Sequence, residues 1–315
     1  MGVPNLKTWL SFNDQLKLLE HRGLIINNPD EARFFLSHLN YYCFTGYGLV
    51  FEQSRHRYFP GVTFDQIRQT YAFDRALRDL FTESLELIEL DLRTTTAYSF
   101  SKDHGPFGHA DSAKFFRRDR HSKWLNELRA VAKDAVKETS TNQAMNVFVK
   151  HHKDTYQEFP DMPIWVAIEI MSFGSLSTML GCMDKNDQKK IAARYGLQPD
   201  TLPSFTHHLV YVRNLCAHHV RLWDKVLAIA PKLPITNNGN KWRPPLLPQN
   251  NRLFASLLVQ ATFLQNIRAE RKSIRNWKQR VQDLITTHLP TCPNPLEKMG
   301  MSADWQKHPI WQQIG

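Results

Sequence analysis

Apolar residues recur at intervals of three and four positions along most of the chain, the spacing that places them on one face of an α-helix. The longest such run opens at Thr63-Phe-Asp-Gln66, which has the form of a capping box, and continues to about Phe100. One apolar stripe within it comprises Leu77, Phe81, Leu85, Ile88 and Leu92. The same spacing predicts further helices at about 6–20, 121–137, 142–157, 163–180, 187–195, 204–229 and 250–288.

Signals for β-strands are few. Short runs around 41–51 and 57–62 predict a small β-hairpin near 41–62. Residues 231–250 contain five Pro and four Asn, the composition of a linker or an extended loop. We therefore expect a mainly α protein: a helical domain at 1–230, a linker at 231–250, and a helical segment at 251–315 that packs on or extends the core.

The 315-residue chain has a globular composition, with 42% hydrophobic and 11% aromatic residues. No window approaches 18 consecutive apolar residues, and the first residues lack the pattern of a secretory signal. The four cysteines, at 43, 182, 216 and 292, include no CxxC pair, which disfavours a disulfide framework and a zinc knuckle. We expect a soluble, cytoplasmic protein with no membrane partner.

Positive charge is in excess, with a net charge of +10 and a pI of about 9.4, so a polyanionic partner is plausible. Residues 241–280 carry nine Lys or Arg against one acid, Glu270. We predict that basic residues at helical spacing there contact the backbone of RNA. A solvated helix face is the alternative, and an interrupted apolar face disfavours a membrane-surface helix. The predicted RNA-binding residues are Arg268, Arg271, Lys272, Arg275, Lys278 and Arg280.

The segment from Leu209 to Trp223 places polar side chains inside an otherwise apolar, helix-compatible run. These are Arg213, Asn214, His218 and His219. An arginine can hold a phosphate, and an imidazole can move protons on and off oxygen near neutral pH. This combination is typical of a metal-independent ribonuclease site. The spacing alone is a weak signal, because it also occurs at Arg33 and His38.

Two other interpretations compete for the same histidines. A His beside an Arg on a half-buried helix is more often a hydrogen-bonded scaffold residue than a catalyst. Zinc binding would use His207, His208, His218 and His219, but no carboxylate or Cys stands at the usual ligand spacing beside them. We therefore expect no metal and no cofactor at this site.

Helix geometry bears on how the polar residues could work together. Positions five apart differ by about 140° of rotation, so Arg213 and His218 edge a wide face and do not form one narrow stripe. A second copy opposite would complete such a site, which predicts a twofold homodimer across this helix. Glu89 either pairs with Arg93 in the favourable i,i+4 order or orients Arg213. We expect surface pairing for the other charged residues nearby, which are Asp74, Arg75, Arg78 and Glu86.

Several longer motifs occur in order along the chain. They are Asn40-Tyr-Tyr-Cys-Phe-Thr-Gly-Tyr47, Tyr71-Ala-Phe-Asp-Arg-Ala-Leu-Arg78, Glu86-Leu-Ile-Glu-Leu-Asp-Leu-Arg93, Gly105-Pro-Phe-Gly108, Pro163-Ile-Trp-Val-Ala-Ile-Glu169 with Ser172-Phe-Gly174, and Tyr211-Val-Arg-Asn-Leu-Cys-Ala-His-His219 with Arg221-Leu-Trp223. Together they resemble the Abi-D/Abi-F family of bacterial abortive-infection proteins over roughly residues 10–230. The basic C-terminal segment lies outside the resemblance.

The resemblance implies a HEPN-like helical bundle that dimerises and carries an Arg-x4-His motif with a polar residue after the Arg. It implies Arg213, Asn214 and His218 as the catalytic set. We predict that His219, Glu89 and Arg93 support this set. The implied activity is endoribonuclease cleavage of RNA during phage infection, through attack by the substrate's own 2′-hydroxyl group.

Two classes of function remain open from the sequence. The first is an RNA-cleaving phage-defence toxin, restrained before infection by a stably bound RNA or another partner. The second is a non-catalytic RNA-binding or sensing module, or a helical partner of a second toxin–antitoxin protein.

Overall fold

The computed structural model describes residues 8–137, 143–234, 241–247, 249–267 and 271–312, with the backbone alone at 143–146 and 271–275. The protein is mainly α-helical, as predicted. Its helices are α1 (Phe12–His21), α2 (Pro29–His38), α3 (Tyr41–Gly48), α4 (Phe64–His104), α5 (Arg118–Ala135), α6 (Gln143–Thr155), α7 (Ile164–Ile170), α8 (Phe173–Cys182), α9 (Lys185–Arg194), α10 (Thr201–Ala217), α11 (Leu253–Leu264), α12 (Arg271–His288), α13 (Pro295–Lys298) and α14 (Pro309–Gln312).

Helix α4 spans 41 residues and is the central element of the bundle. The predicted capping box is present, because Thr63 accepts a hydrogen bond from the backbone of Gln66 and Gln66 accepts one from the backbone of Thr63. The helix ends at Gly105, whose φ of 72° favours a residue without a Cβ. The predicted apolar stripe is buried, and helices α3, α7, α9, α10, α11 and α12 pack against α4.

A small hairpin is confirmed, but it is shorter than the sequence suggests. Strands β1 (Glu52–Ser54) and β2 (Arg57–Tyr58) pair antiparallel. The first predicted strand run is instead α3, which begins where the side chain of Asn40 accepts a hydrogen bond from the backbone of Tyr42. A local cap therefore outweighs the β-propensity of an aromatic run.

Two predicted helices are divided in the structure. The region 163–180 forms α7 and α8, because Ser172 caps a new helix by accepting from the N–H of Ser175. The region 250–288 forms α11 and α12. Helix α11 is mostly apolar, and all of its residues except Thr262 are buried, between α4, α10 and α14. Within the part of the chain described, no helix is long and apolar enough to cross a membrane.

Candidate functional site

The predicted site lies at the C-terminal end of α10. Leu209, Val212 and Cys216 are buried and hold the helix in the bundle. The helix stops at Ala217, twelve residues before the end that periodicity predicts for it at 229. The N–H of His219 donates to Cys216 O over 3.0 Å, and the N–H of Val220 donates to Leu215 O over 2.9 Å. This pair of bonds is a Schellman motif, which closes a helix on a left-handed residue.

The left-handed residue is His219, with a φ of 55°. Glycine is the usual occupant of this position because it has no Cβ, and histidine is among the few others found there. His218 is the C-cap, so it stands at the helix terminus and not within a continuing helix. Both imidazoles and the side chain of Asn214 are exposed. The turn places His218 and His219 at the end of α10, beside the exposed Asn214 of the last helical turn.

Arg213 is half-buried on α10, and its Nε is buried with no hydrogen-bond partner. Among the residues described here, no carboxylate or carbonyl binds its guanidinium. Buried or half-buried arginines ordinarily have such a partner, since an unsatisfied charged donor costs about 1–3 kcal/mol or more. An anionic ligand such as a phosphate would satisfy this guanidinium.

The other Arg and His at this spacing behave differently. Arg33 lies on α2 and donates to Asp30 over 2.9 Å and to Asn13 over 2.6 Å. His38 lies 2.9 Å from the carbonyl oxygen of Phe34, in its own helix. The same spacing thus produces a paired arginine on α2 and an unpaired arginine on α10.

A buried carboxylate holds the chain immediately after the motif. Asp74 on α4 accepts hydrogen bonds from the backbone of Leu222 over 2.9 Å and of Trp223 over 2.8 Å. Its second oxygen accepts from Tyr47 Oη over 2.7 Å and forms an ion pair with Arg78. Burial raises the pKa of Asp74, and the Arg78 guanidinium opposes that shift. The expectation of surface pairing for Asp74 and Arg78 was wrong, because both side chains are buried.

Arg221 connects the same turn to α3. Its guanidinium donates to the carbonyl oxygen of Gly46, lies 5.9 Å from the ring centroid of Tyr47, and places Nε 2.9 Å from Asp224 Oδ1. Gly46 also borders a cavity of about 940 Å³ beside α1 and α3. Asp74, Arg78 and Arg221 all fall within the quoted motifs, but the sequence predicted only surface pairing for Asp74 and Arg78 and no role for Arg221.

Glu89 and Arg93 form the predicted i,i+4 ion pair, at 2.6 Å. Arg93 also donates to Met171 O over 2.6 Å and to the carbonyl oxygen of Ile168, at the junction of α7 and α8. Within the described ranges, no hydrogen bond or ion pair joins Glu89 to Arg213. The Glu89–Arg93 pair therefore does not bind Arg213 directly. It holds the junction before α8, and α8 packs along α10.

The remaining histidines of the zinc alternative do not converge. His208 is fully buried, its Nδ1 donates to Ile229 O over 2.6 Å, and its Nε2 accepts from the Ser256 hydroxyl over 2.8 Å. Burial lowers the pKa of His208 to about 4, so it is a neutral scaffold residue at pH 7. His207 is exposed. No three His, Cys, Asp or Glu side chains are grouped as metal ligands in the part of the chain that the structure describes.

The predicted basic stripe is not continuous. Lys278 is buried, and its ammonium group donates to Ile310 O over 3.1 Å and to Trp311 O over 3.2 Å. Burial lowers the pKa of Lys278 to about 8. Arg280 is exposed and pairs with Glu83 at 2.7 Å. Lys278 therefore faces the interior and cannot reach a phosphate, contrary to the expectation of an RNA-contacting stripe. Arg268 and the side chains of Arg271, Lys272 and Arg275 lie outside the described residues.

These features define a mainly helical protein in which Arg213 has no partner among the described residues and lies near an exposed asparagine and histidine at the end of one helix. A family model for Abi-like proteins matches residues 34–224, more than half of the chain. The chain belongs to this family of abortive-infection proteins. The match runs from α2 through the turn held by Asp74 and ends before α11. Neither a curated protein nor a solved structure matches the chain.

Proposed function

We propose that this abortive-infection protein is a metal-independent endoribonuclease with Arg213, Asn214 and His218 as its catalytic residues. The observation that carries the proposal is the half-buried guanidinium of Arg213, which has no partner among the residues described and lies at the same helix end as the exposed Asn214 and His218. The paired Arg33 on α2 shows that the spacing alone does not produce this state. RNA in the cytoplasm is the proposed substrate.

In the proposed reaction, Arg213 binds a non-bridging oxygen of the scissile phosphate and stabilises the charge that develops there. An imidazole removes the proton of the adjacent 2′-hydroxyl group, whose oxygen attacks phosphorus. The bond from phosphorus to the 5′-oxygen then breaks, and that oxygen receives a proton from an imidazole. The products are a 2′,3′-cyclic phosphate and a 5′-hydroxyl group. Asn214 donates a hydrogen bond that orients the phosphate.

A homodimer is part of the proposal. On one helix Arg213 and His218 are about 140° apart in rotation, and a single copy presents one His218. Two copies related by a twofold axis at the exposed end of α10 would present two arginines and two imidazoles to one phosphodiester. One imidazole would then act as the base and the other as the acid. A bound RNA or partner protein would restrain this activity in uninfected cells.

The test compares wild-type protein with His218→Ala on total RNA in the presence of EDTA, with mapping of the new ends. His38→Ala is the matched control, because His38 has the same spacing from an arginine that is already paired. We expect wild type and His38→Ala to cleave and leave cyclic-phosphate ends, and His218→Ala to lose cleavage by a factor of about 100 or more. Equal cleavage by His218→Ala refutes the assignment. If wild-type protein that has been freed of bound RNA binds added RNA but does not cleave it, the non-catalytic RNA-binding module is favoured.

A further inference from the structure

A cluster of basic side chains surrounds a cavity of about 320 Å³ at the opposite end of α10 from His218. We call this cavity the basic pocket; its charged and His residues are Arg117, Arg120, Lys185, Asp200, His207 and Lys232. We propose that the basic pocket binds a backbone phosphate of the same RNA strand that is cut at His218. The inference rests on the proposed function, to which it adds a second contact with the substrate.

The charge of the basic pocket is not balanced by the protein. It contains four Lys or Arg side chains and one carboxylate, Asp200. Lys185 binds Asp200 and lowers the pKa of that carboxyl group. Within the described ranges, no carboxylate or carbonyl engages the exposed guanidinium groups of Arg117 and Arg120. A bound phosphodiester would offset this excess of positive charge, and two guanidinium groups suit its oxygens.

Several cations on the same helices outside the basic pocket are paired. On α5, Arg129 binds Asp161 at 2.6 Å. On α9, Lys190 binds Asp103 at 2.6 Å and Arg194 binds Asp91 at 2.5 Å. Exposed cations without an ion pair among the described residues also occur on these helices, at Arg118 and Lys189. The pocket is distinguished by the convergence of four Lys or Arg side chains on one cavity.

Hydrogen bonds between the surrounding elements hold the basic pocket in shape. The carbonyl oxygen of Cys182, at the end of α8, accepts from the backbone of Phe116 over 3.0 Å and of Arg117 over 3.3 Å. The backbone N–H of Lys232 donates to Ser204 Oγ on α10 over 2.8 Å. Gln188 on α9 donates to Leu180 O over 2.8 Å. These bonds fix the backbone around the pocket, which lowers the entropic cost of binding a ligand.

The position of the pocket along α10 relates it to the catalytic end. His207 and His218 are eleven residues apart, which is close to three turns and about 16 Å of helix. Both side chains are exposed, as is Asn214 between them on the same face. At a rise of about 3.4 Å per stacked nucleotide, the separation corresponds to about five nucleotides. An RNA strand lying along this face would reach both sites, whereas a shorter fragment would reach one.

The experiment measures binding of fluorescent 2′-O-methyl oligoribonucleotides, which lack the attacking hydroxyl group, to the full-length protein. Oligomers of about four and about twelve nucleotides are compared at several salt concentrations, because only the longer one spans the separation of the two sites. The variant is Arg117→Gln/Arg120→Gln. The matched control is Arg118→Gln/Lys189→Gln, which removes the same charge from exposed positions of α5 and α9 outside the basic pocket.

We expect the pocket variant to bind the longer oligomer about tenfold more weakly than the control does, and the shorter oligomer equally well. The slope of log affinity against log salt should become shallower by about 0.7, the contribution of one phosphate of a single strand. Equal binding of the longer oligomer by pocket and control variants overturns the inference, as does absence of binding by wild type.

Cleavage assays on the same proteins separate the two proposals. If wild type and pocket variant cleave RNA with equal KM, the proposed function stands and the pocket inference fails. If neither cleaves but the pocket variant loses binding, the pocket binds RNA and the proposed function fails. If both proposals hold, the pocket variant raises KM and leaves kcat unchanged, because the pocket is remote from the reacting phosphate.

Discussion

His219 offers a direct test of how α10 ends. The residue is exposed and has a φ of 55°, in the left-handed region. That conformation costs roughly 1–2 kcal/mol for a residue with a Cβ, less for His, whereas glycine adopts it without that cost but loses more entropy on folding. The difference predicts that His219→Gly raises the free energy of unfolding by about 0.5–1 kcal/mol.

The reasoning also predicts an order among substitutions at this position. Asn tolerates the left-handed region and should match His, Ala should be slightly less stable, and Val should lose about 1 kcal/mol or more because it is β-branched. Urea denaturation measures the unfolding free energy of each variant, provided that the m-value is the same for all of them. A His219→Gly protein less stable than His219→Ala would refute the Schellman geometry.

The same series separates stability from function. If His219 contacts RNA beside His218, His219→Gly gains stability and loses cleavage or RNA affinity together. Retention of histidine in a strained conformation at this exposed turn would then reflect function, since strain of this kind is concentrated at functional sites. Unchanged RNA affinity and cleavage in His219→Gly would remove His219 from the supporting residues.

Two further predictions concern buried groups. Asp74→Ala should lower the free energy of unfolding by about 3–5 kcal/mol, because it leaves Arg78 buried without its partner. Urea denaturation measures this loss. The control, Asp65→Ala at a half-exposed ion pair on the same helix, should lose less than about 1 kcal/mol of unfolding free energy. Burial lowers the pKa of His208 to about 4 in the folded protein, from the ordinary value of 6.5 for histidine. Its contribution to stability is full above pH 6.5 and declines toward pH 4, by roughly 3 kcal/mol. The unfolding free energy of His208→Gln should therefore change less between pH 6.5 and pH 4 than that of wild type. Parallel plots of unfolding free energy against pH for the two proteins would contradict the lowered pKa of His208.

The local elements were predictable from sequence because their causes are local. The capping box at Thr63 and the apolar stripe of α4 involve residues within one helix, and both are present. The motif on α10 was also visible, since Arg213, Asn214 and His218 are close in the chain. Their side chains needed no distant partner to be recognised as a candidate site.

The end of α10 depended on distant residues. No Gly or Pro follows Ala217 for many positions, so periodicity extends the helix to 229. In the structure, the N–H groups of Leu222 and Trp223 donate to Asp74, which precedes them by 148 and 149 residues. In a continuing helix they would donate to carbonyl groups four residues earlier. The tertiary contact therefore competes with the helix and ends it just before His218.

Burial and pairing of charged side chains also could not be predicted from helical spacing. Helical spacing showed which basic residues share a face, but not that Lys278 faces the carbonyl groups of Ile310 and Trp311. Arg33 and Arg213 have the same spacing to a histidine in the sequence. In the structure Arg33 pairs with a carboxylate, whereas Arg213 has no such partner within the described residues. The sequence by itself determined most of the helices and the chemistry available on each. Only the tertiary structure decided which charges were paired, buried or left for a ligand, because those outcomes depend on residues far apart in the chain.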